Sequence, residues 1–312
     1  MIPYPPGAED WAPDGAAALD AARTVLVRYC VLPFPEAADA VVLWCAATHA
    51  LPSLPAAPRL AITSPVKRAG KTRLLDVIEG IAYKPLPTMN STTAAVFRSL
   101  DVAHPPTLLF DEVDTIFGSA RVAENNEDLR GLLNAGFQRG KAALRCHGPS
   151  QKPTLFATFA MTALAGIGGL PDTITDRAVN IRMRRRKTGE TVQPFRERRD
   201  GPALKCVRDQ LEAWLADPSV LAKLADAEPV MPLEDRAADV WEPLIAICGP
   251  GRRRVAGVSA SSGPQAHRPV RRGRRRNPRC AVAPRSPAGV RQRPREGRLG
   301  AHGGTATAPP EA

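Results

Sequence analysis

Apolar residues recur at helical spacing in two stretches near the start of the chain. Ala16 to Val31 places Leu19, Ala22, Leu26 and Tyr29 on one face, and Pro35 to Leu51 carries Val41, Val42, Trp44 and Cys45 inside, with Pro33 between the two. Past the connector Leu51-Pro52-Ser53-Leu54-Pro55 the pattern becomes a short continuous apolar run, Arg59 to Ser64, which suits a buried parallel strand. Helical spacing returns at Leu74, Leu75, Val77, Ile78 and Ile81. The pattern next predicts a short strand at Pro85–Met89, a helix capped by Ser91 and carrying Ala94, Ala95, Val96, Phe97 and Leu100, and a strand ending Leu108-Leu109-Phe110. A helix opening at Asn125 and ending near Gly140 follows, then strands at Ala142–Cys146, Thr154–Thr162 and Ala178–Met183. From Pro202 to Asp217, Leu204, Val207, Leu211, Trp214 and Leu215 return at helical spacing. This alternation predicts an α/β fold with a parallel sheet covered by helices.

The chemistry sits where strands give way to loops. Between the strand ending at Ser64 and the following helix lies Pro65-Val66-Lys67-Arg68-Ala69-Gly70-Lys71-Thr72. It follows the phosphate-loop pattern G-x-x-x-x-G-K-[ST] with Pro65 in place of the first glycine. Such a loop points backbone N–H groups at phosphates, a lysine reaches the terminal ones, and the helix N-terminus adds partial positive charge. Proline removes one N–H and leaves the amides from Val66 through Thr72. Further on, Leu108-Leu109-Phe110 runs into Asp111-Glu112, two carboxylates at the end of a buried strand. In an ATPase, Asp111 together with Thr72 would hold Mg²⁺ and Glu112 would activate the attacking water. Residues 65–72 would bind ATP, with Lys71 acting in catalysis as well.

Four further features are expected to matter less or to have ordinary alternatives. Thr158 or Thr162 could sense a γ-phosphate, and the β-propensity of threonine accounts for either equally well. Arg177, after the loop Gly166-Ile167-Gly168-Gly169-Leu170-Pro171, stands where ring ATPases present an arginine to a neighbouring subunit's nucleotide; a surface pair with Asp176 is the alternative. Arg182, Arg184, Arg185, Arg186 and Lys187 read as a solvated charge run at a domain edge rather than a DNA contact, and His49, with no second ligand at metal-binding spacing, as a packed histidine.

Composition changes this picture at one end only. The chain has 312 residues and a net charge of +12. Residues 249–312 hold 15 Arg and 2 Glu, so the 248 residues before them sum to −1 and the body is not basic. That final stretch lacks Phe, Tyr, Trp, Ile, Met, Lys and Asp, and nothing in it builds a core. Most of the missing residues have A/T-rich codons and the abundant ones G/C-rich codons, as expected of a GC-rich gene read out of frame; a disordered basic arm that binds nucleic acid through its phosphates is the alternative. Gly249-Pro250-Gly251-Arg252-Arg253-Arg254-Val255-Ala256-Gly257 can be encoded so that a one-nucleotide shift reads Asp-Leu-Ala-Gly-Gly-Glu-Trp-Pro, which continues the helix-like Trp241–Ile247. The six cysteines are scattered without metal-ligand spacing and read as reduced thiols. With no apolar run of membrane-spanning length and no secretory signal, the expected location is the cytoplasm, away from membranes.

These segments together resemble a family of uncharacterised P-loop ATPases that carry a domain of unknown function and occur in actinobacteria, their phages and integrative elements, often beside or fused to primase-like domains. The matching residues are Leu43-Trp44 with Thr48-His49-Ala50, Leu60-Ala61-Ile62-Thr63-Ser64-Pro65 into Gly70-Lys71-Thr72-Arg73-Leu74-Leu75, and Asp111-Glu112-Val113-Asp114. Ala165-Gly166-Ile167-Gly168 with Leu170-Pro171-Asp172-Thr173, then Asp176-Arg177 and Val240-Trp241-Glu242-Pro243-Leu244 complete the set, which spans roughly residues 16–248. Pro65 is usual in that family, and the family continues past Trp-Glu-Pro-Leu with Asp-Leu-Ala-Gly-Gly-Glu-Trp-Pro. The resemblance implies a P-loop NTPase fold of the AAA+ or helicase-like kind, with ATP and Mg²⁺ as cofactors. It further implies a role on single-stranded or forked DNA in the replication of a mobile element, as a homo-oligomer with a primase partner; a regulatory or defence ATPase aimed at another protein is the alternative. The expected organisation is a disordered N-terminus (1–15), a helical region (16–55), the ATPase core (56–190), the start of a C-terminal helical domain (200–248) and a disordered Arg/Pro/Gly-rich tail (249–312).

The frame shift is checked at the gene. Sequencing across the codon of Cys248 is expected to show an open second frame encoding Asp-Leu-Ala-Gly-Gly-Glu-Trp-Pro, and its absence would make the arginine tail the native end.

Overall fold

The computed structural model describes residues 15–88, 92–117, 126–147 and 152–249. Ser91 and the two terminal stretches expected to be disordered lie outside them, apart from Gly15 and Gly249. The chain opens with helices α1 (Gly15–Tyr29) and α2 (Glu36–Ala50) and a 3₁₀ turn at Leu51–Ser53. Strand β1 (Arg59–Ser64) runs into α3 (Lys71–Ile81), followed by β2 (Pro85–Pro87), α4 (Thr93–Ser99), β3 (Thr107–Phe110) and a single turn α5 (Asp114–Phe117). Next come α6 (Glu127–Ala135), β4 (Ala142–His147), β5 (Lys152–Ala157), β6 (Thr162–Ile167), the turn α7 (Asp172–Thr175) and β7 (Ala178–Arg182). Helices α8 (Glu197–Leu215), α9 (Pro218–Ala225) and α10 (Asp235–Cys248) close the described chain.

Five strands form one parallel sheet in the order β2-β3-β6-β1-β7. The inner strands β3, β6 and β1 are buried on both faces, and the period-2 alternation of side chains divides the sheet between two cores. Leu60 and Ile62 of β1, Leu109 of β3, Ala163 and Ala165 of β6 and Val179 and Ile181 of β7 face the larger core, shared with α1, α2, α3, α8 and α10. Ala61, Leu108, Phe110, Leu164 and Ala178 face the smaller one, with Val96 and Phe97 of α4, Leu129, Leu132 and Leu133 of α6 and Ile174 of α7. Every apolar position expected on α1, α2 and α3 is buried. Each such Leu, Ile or Val stabilises the fold by about 1.5–3 kcal/mol. The flanking helical regions therefore complete one core with the sheet.

Several expectations are corrected. The predicted strand Thr154–Thr162 is two strands: β5 pairs antiparallel with β4 in a separate two-stranded ribbon, and β6 starts at Thr162 and enters the main sheet. Thr92, not Ser91, caps α4, its Oγ1 accepting from the Ala95 N–H at 3.3 Å. Helix α6 stops at Ala135, before Gly140. Helix α8 begins at Glu197, five residues before the expected start, and carries Pro202 at its sixth position, where the missing proline N–H removes the bond to the Arg198 carbonyl. His49 is the packed histidine expected: its Nε2 lies 3.0 Å from the Ile81 carbonyl, and burial pushes its pKa down to about 4.

At the amino end of the sheet, Arg59 is 1% exposed and donates to the carbonyls of Leu133 (2.7 Å), Ala57 (3.0 Å) and Ala160 (2.5 Å). Its cation lies just inside the C-terminus of α6, where helix carbonyls lack partners and favour positive charge. Burial and, secondarily, nearby Arg177 push its pKa down to about 9. Gly136 makes the approach possible, since a Cβ there would sit 2.1 Å from the Thr158 carbonyl and 2.7 Å from an Arg59 nitrogen. Gly131, on the same helix, has nothing within 4 Å.

Two alanine substitutions should therefore move stability in opposite directions. In denaturant unfolding, Gly136→Ala is expected to lose about 1–3 kcal/mol by overpacking, whereas Gly131→Ala is expected to gain about 0.5–1 kcal/mol from helix propensity.

Candidate functional site

All five main strands point the same way, so their carboxyl ends share one edge, the usual place for ligands in an open parallel sheet. There β1 ends at Ser64 and the chain turns through Pro65–Gly70 into α3. The turn requires left-handed backbone at Arg68 (φ 62°) and Gly70 (φ 85°). Nothing crowds Gly70 closely, its would-be Cβ lying 3.6 Å from the Met183 methyl, so glycine answers a conformational need there rather than a steric one. Helix α3 starts at Lys71, so its first-turn amides open onto the loop.

Lys71 is only 9% exposed. Its ammonium donates to Ser64 Oγ at 2.9 Å, and that hydroxyl donates to the Val66 carbonyl at 2.7 Å. Among the described residues no carboxylate comes within ion-pair distance of it. A buried cation held by neutral oxygens alone is under-compensated, and an anion in the loop would complete it. Sequence reasoning missed Ser64, which reads simply as the last residue of a strand.

Thr72, the next residue, is exposed and donates from Oγ1 to Asp111 Oδ2 at 3.0 Å. That bond joins the start of α3 to the end of β3, across the intervening β6. Two oxygens bound side by side to an octahedral Mg²⁺ stand about 2.9 Å apart, so this pair has suitable spacing for two of its ligands. Magnesium usually takes only one or two protein oxygens and completes its shell with phosphate and water. The exposed Glu112 follows in left-handed backbone, φ 53°, with its N–H donating to Asp111 Oδ1 at 2.8 Å. Left-handed backbone at a residue other than glycine is strained and concentrates at functional sites.

The loop after β6 closes the floor of this edge. Gly168 N–H donates to the Ser64 carbonyl at 2.9 Å, and Ile167 N–H to Asp114 Oδ1 at 2.9 Å. Gly166 has no room for a side chain, as a Cβ would meet Val113 at 2.6 Å. Asp114 is thus a positioning residue for the loop, a role its place beside two other acids conceals.

Arg177 is not brought to this edge. It precedes β7, whose first residue pairs with Arg59 at the start of β1, about 17 Å from Ser64 along the strand. Its guanidinium donates to the Thr173 carbonyl at 2.6 Å instead of pairing with Asp176. Burial and the nearby Arg236 lower its pKa, with Asp176 acting the other way. Thr158 and Thr162 also lie toward the amino end of the sheet: Thr158 donates to the Lys141 carbonyl at 2.9 Å, and Thr162 pairs with Arg59. Neither side chain is placed to sense an anion at Lys71. Within the expected basic cluster, Arg184 pairs with Glu190 at 2.6 Å and Arg185 donates to the Lys67 carbonyl at 3.2 Å.

Fold and site define an α/β protein with a parallel central sheet covered by helices and a basic loop and paired acids at one sheet edge. A protein-family profile described as "Protein of unknown function (DUF3631)" matches residues 182–253, a narrower span than the resemblance drawn from the sequence. An uncharacterised 28.9 kDa protein from the xis 5′ region of Saccharopolyspora erythraea is 54% identical over 65 residues, 21% of this chain and 24% of that protein. The chain thus matches about a quarter of that relative's length. Solved structures of JCV helicase superpose at 14% identity with a TM-score of 0.33, covering 73% of this chain and 59% of theirs, and at 12% identity with a TM-score of 0.32, covering 67% and 64%. At that level the likeness carries no argument. Among the described residues, no helix is long and apolar enough to cross a membrane, and no cluster of three or more His, Cys, Asp or Glu could hold a metal.

The state of Lys71 can be tested without any ligand. Lys71→Met keeps the aliphatic stem and removes the charge, so urea unfolding of the free protein is expected to show a gain of about 1 kcal/mol; a loss would mean that the ammonium is already compensated.

Proposed function

We propose that this chain is a Mg²⁺-dependent ATPase of the P-loop, AAA+ or helicase-like kind. The observation that carries the reading is the buried Lys71 ammonium, held among the described residues by Ser64 beneath a loop of open amides, with Thr72 bonded to Asp111 beside it. In this reading the amides of residues 65–72 bind the phosphates, with Val66, Lys67, Arg68, Ala69 and Gly70 lining them and Lys71 neutralising charge on the terminal ones. Thr72 and Asp111 hold Mg²⁺, which supplies charge neutralisation to the phosphoryl oxygens. Glu112, exposed beside Asp111, orients the attacking water and takes its proton. A strand between the loop strand and the acid strand separates Lys71 from Glu112 enough for a phosphate to lie between them, which supports the same reading.

Arg177 serves as an arginine finger only in trans, because it stands at the far end of its own sheet. The role assigned to it therefore requires a homo-oligomer in which a neighbour's nucleotide faces that end. The substrate, single-stranded or forked DNA in the replication of a mobile element with a primase partner, follows from the resemblance of the sequence. The relative from a xis 5′ region is in keeping with such a setting. Action in the cytoplasm, and the division into an N-terminal helical region, an ATPase core and a C-terminal helical domain, belong to the same proposal.

The test is Mg²⁺-dependent ATP hydrolysis by the purified chain, with and without single-stranded DNA. Hydrolysis should vanish in Lys71→Ala and fall about 10²–10⁴-fold in Glu112→Gln with ATP binding retained, and DNA should raise the wild-type rate. Turnover indifferent to DNA would favour a nucleotide-gated protein switch, and no nucleotide binding at all would end the ATPase reading.

A further inference from the structure

A cavity of about 350 Å³ lies directly beside the phosphate loop, on the side away from Asp111, and no step of the proposed hydrolysis uses it. Its walls come from four parts of the chain: the end of α1 at Tyr29 to Val31, the loop at Arg68 to Gly70 with Arg73, Met183 and Arg186 after β7, and the segment Val192 to Arg196 ahead of α8. That last segment is fastened down. Gln193 N–H donates to the Arg28 carbonyl at 2.9 Å, and Arg199 donates to the Pro194 carbonyl at 2.6 Å. Phe195 packs edge-on against Tyr29 with ring centres 5.1 Å apart, and the Arg73 guanidinium lies over the Phe195 ring at 4.9 Å. Met183 is fixed by its N–H donating to the Thr63 carbonyl at 2.7 Å, and it also lines the cavity.

Three properties identify the occupant. The cavity is within the range of small-ligand pockets and mixes apolar walls with peptide edges. Flat or polarisable groups, the Arg73–Phe195 pair and the Met183 thioether, suit a planar ring. Four arginines and no carboxylate line it, so a polyanionic molecule can enter without repulsion. Because Arg68, Ala69 and Gly70 belong to both the loop and the cavity, a molecule whose phosphates lie on the loop amides has its other end here.

We infer that this cavity is the nucleobase site: the base of the bound nucleoside triphosphate stacks between Met183 and the Arg73–Phe195 pair, with peptide groups of Cys30–Val31 and Val192–Gln193 at its edge. The inference rests on the phosphate-loop reading above and adds the residues that make the chain a nucleotide binder rather than a binder of bare polyphosphate. Cys30 serves as a wall only, since burial raises its pKa to about 12 and keeps the thiol neutral.

The test compares ATP with inorganic tripolyphosphate, which has the phosphates and no base, by calorimetric titration in Mg²⁺. Wild type is expected to bind ATP at least tenfold more tightly than tripolyphosphate. Phe195→Ala removes one stacking wall, and Val192→Trp fills the cavity from a half-buried position. Each should cut ATP affinity at least tenfold while leaving tripolyphosphate binding unchanged. Retained tripolyphosphate binding shows that the variant is folded; if Phe195→Ala loses it, Val192→Trp decides. Equal wild-type affinity for the two ligands, or full ATP affinity in a folded variant, would overturn the base site and leave the phosphate loop standing. Failure of wild type to bind either ligand would overturn both.

Discussion

The Lys71 ammonium must sit under the loop, and much of the structure follows from that. A lysine that begins a helix ordinarily extends into water. Here the loop's left-handed residues, Arg68 and Gly70, fold the chain back so that the side chain returns to the end of β1 and meets Ser64. Burying a cation this way costs stability and is tolerable only because β1 and α3 are anchored in the larger core through Leu60, Ile62, Leu74, Val77 and Ile78. The site's charge is thus carried by the packing behind it.

The same sheet sets what surrounds that charge. Placing β6 between β1 and β3 opens a gap between the loop and the acids, and the Thr72–Asp111 bond spans it at its narrow point. Gly166 and Asp114 then hold the loop after β6 tight beneath the gap, so that the carboxyl edge is a fixed trough rather than a set of independent turns. On the other side, the segment Val192–Arg196 and the end of α1 wall the cavity beside the loop. Preorganisation of this kind is what a site for charge stabilisation requires.

Local sequence made much of this legible. The strand Arg59–Ser64, the loop and α3 are contiguous, and their apolar spacing, glycine and lysine describe the turn before any contact is known. Asp111 and Glu112 stood out because two acids ending an apolar strand conflict with burial. What depended on distant partners was hidden. Nothing in Ser64, Asp114 or Phe195 shows which groups each will meet, since Phe195 packs against Tyr29 and Arg73, more than 100 residues earlier. The run from Thr154 to Thr162 misled for a related reason: β-propensity is continuous across it, and only the pairing of β5 with β4 and of β6 with β1 divides it.

The two ends of β1 carry the same problem with opposite solutions. At the amino end Arg59 is buried without a carboxylate, yet carbonyls of Ala57, Leu133 and Ala160 accept from its nitrogens, and Gly136 lets them close in. That cation is satisfied by the protein and seals the base of the sheet to α6. At the carboxyl end Lys71 has, among the described residues, one hydroxyl partner and open amides above it. A structural cation is one whose acceptors the fold supplies in full; a functional one is left short of them, with an opening through which a ligand can provide the rest. By that criterion Arg59 belongs to the scaffold and Lys71, in the proposed function, to the site, although one opens the six-residue strand β1 and the other the helix that follows its loop.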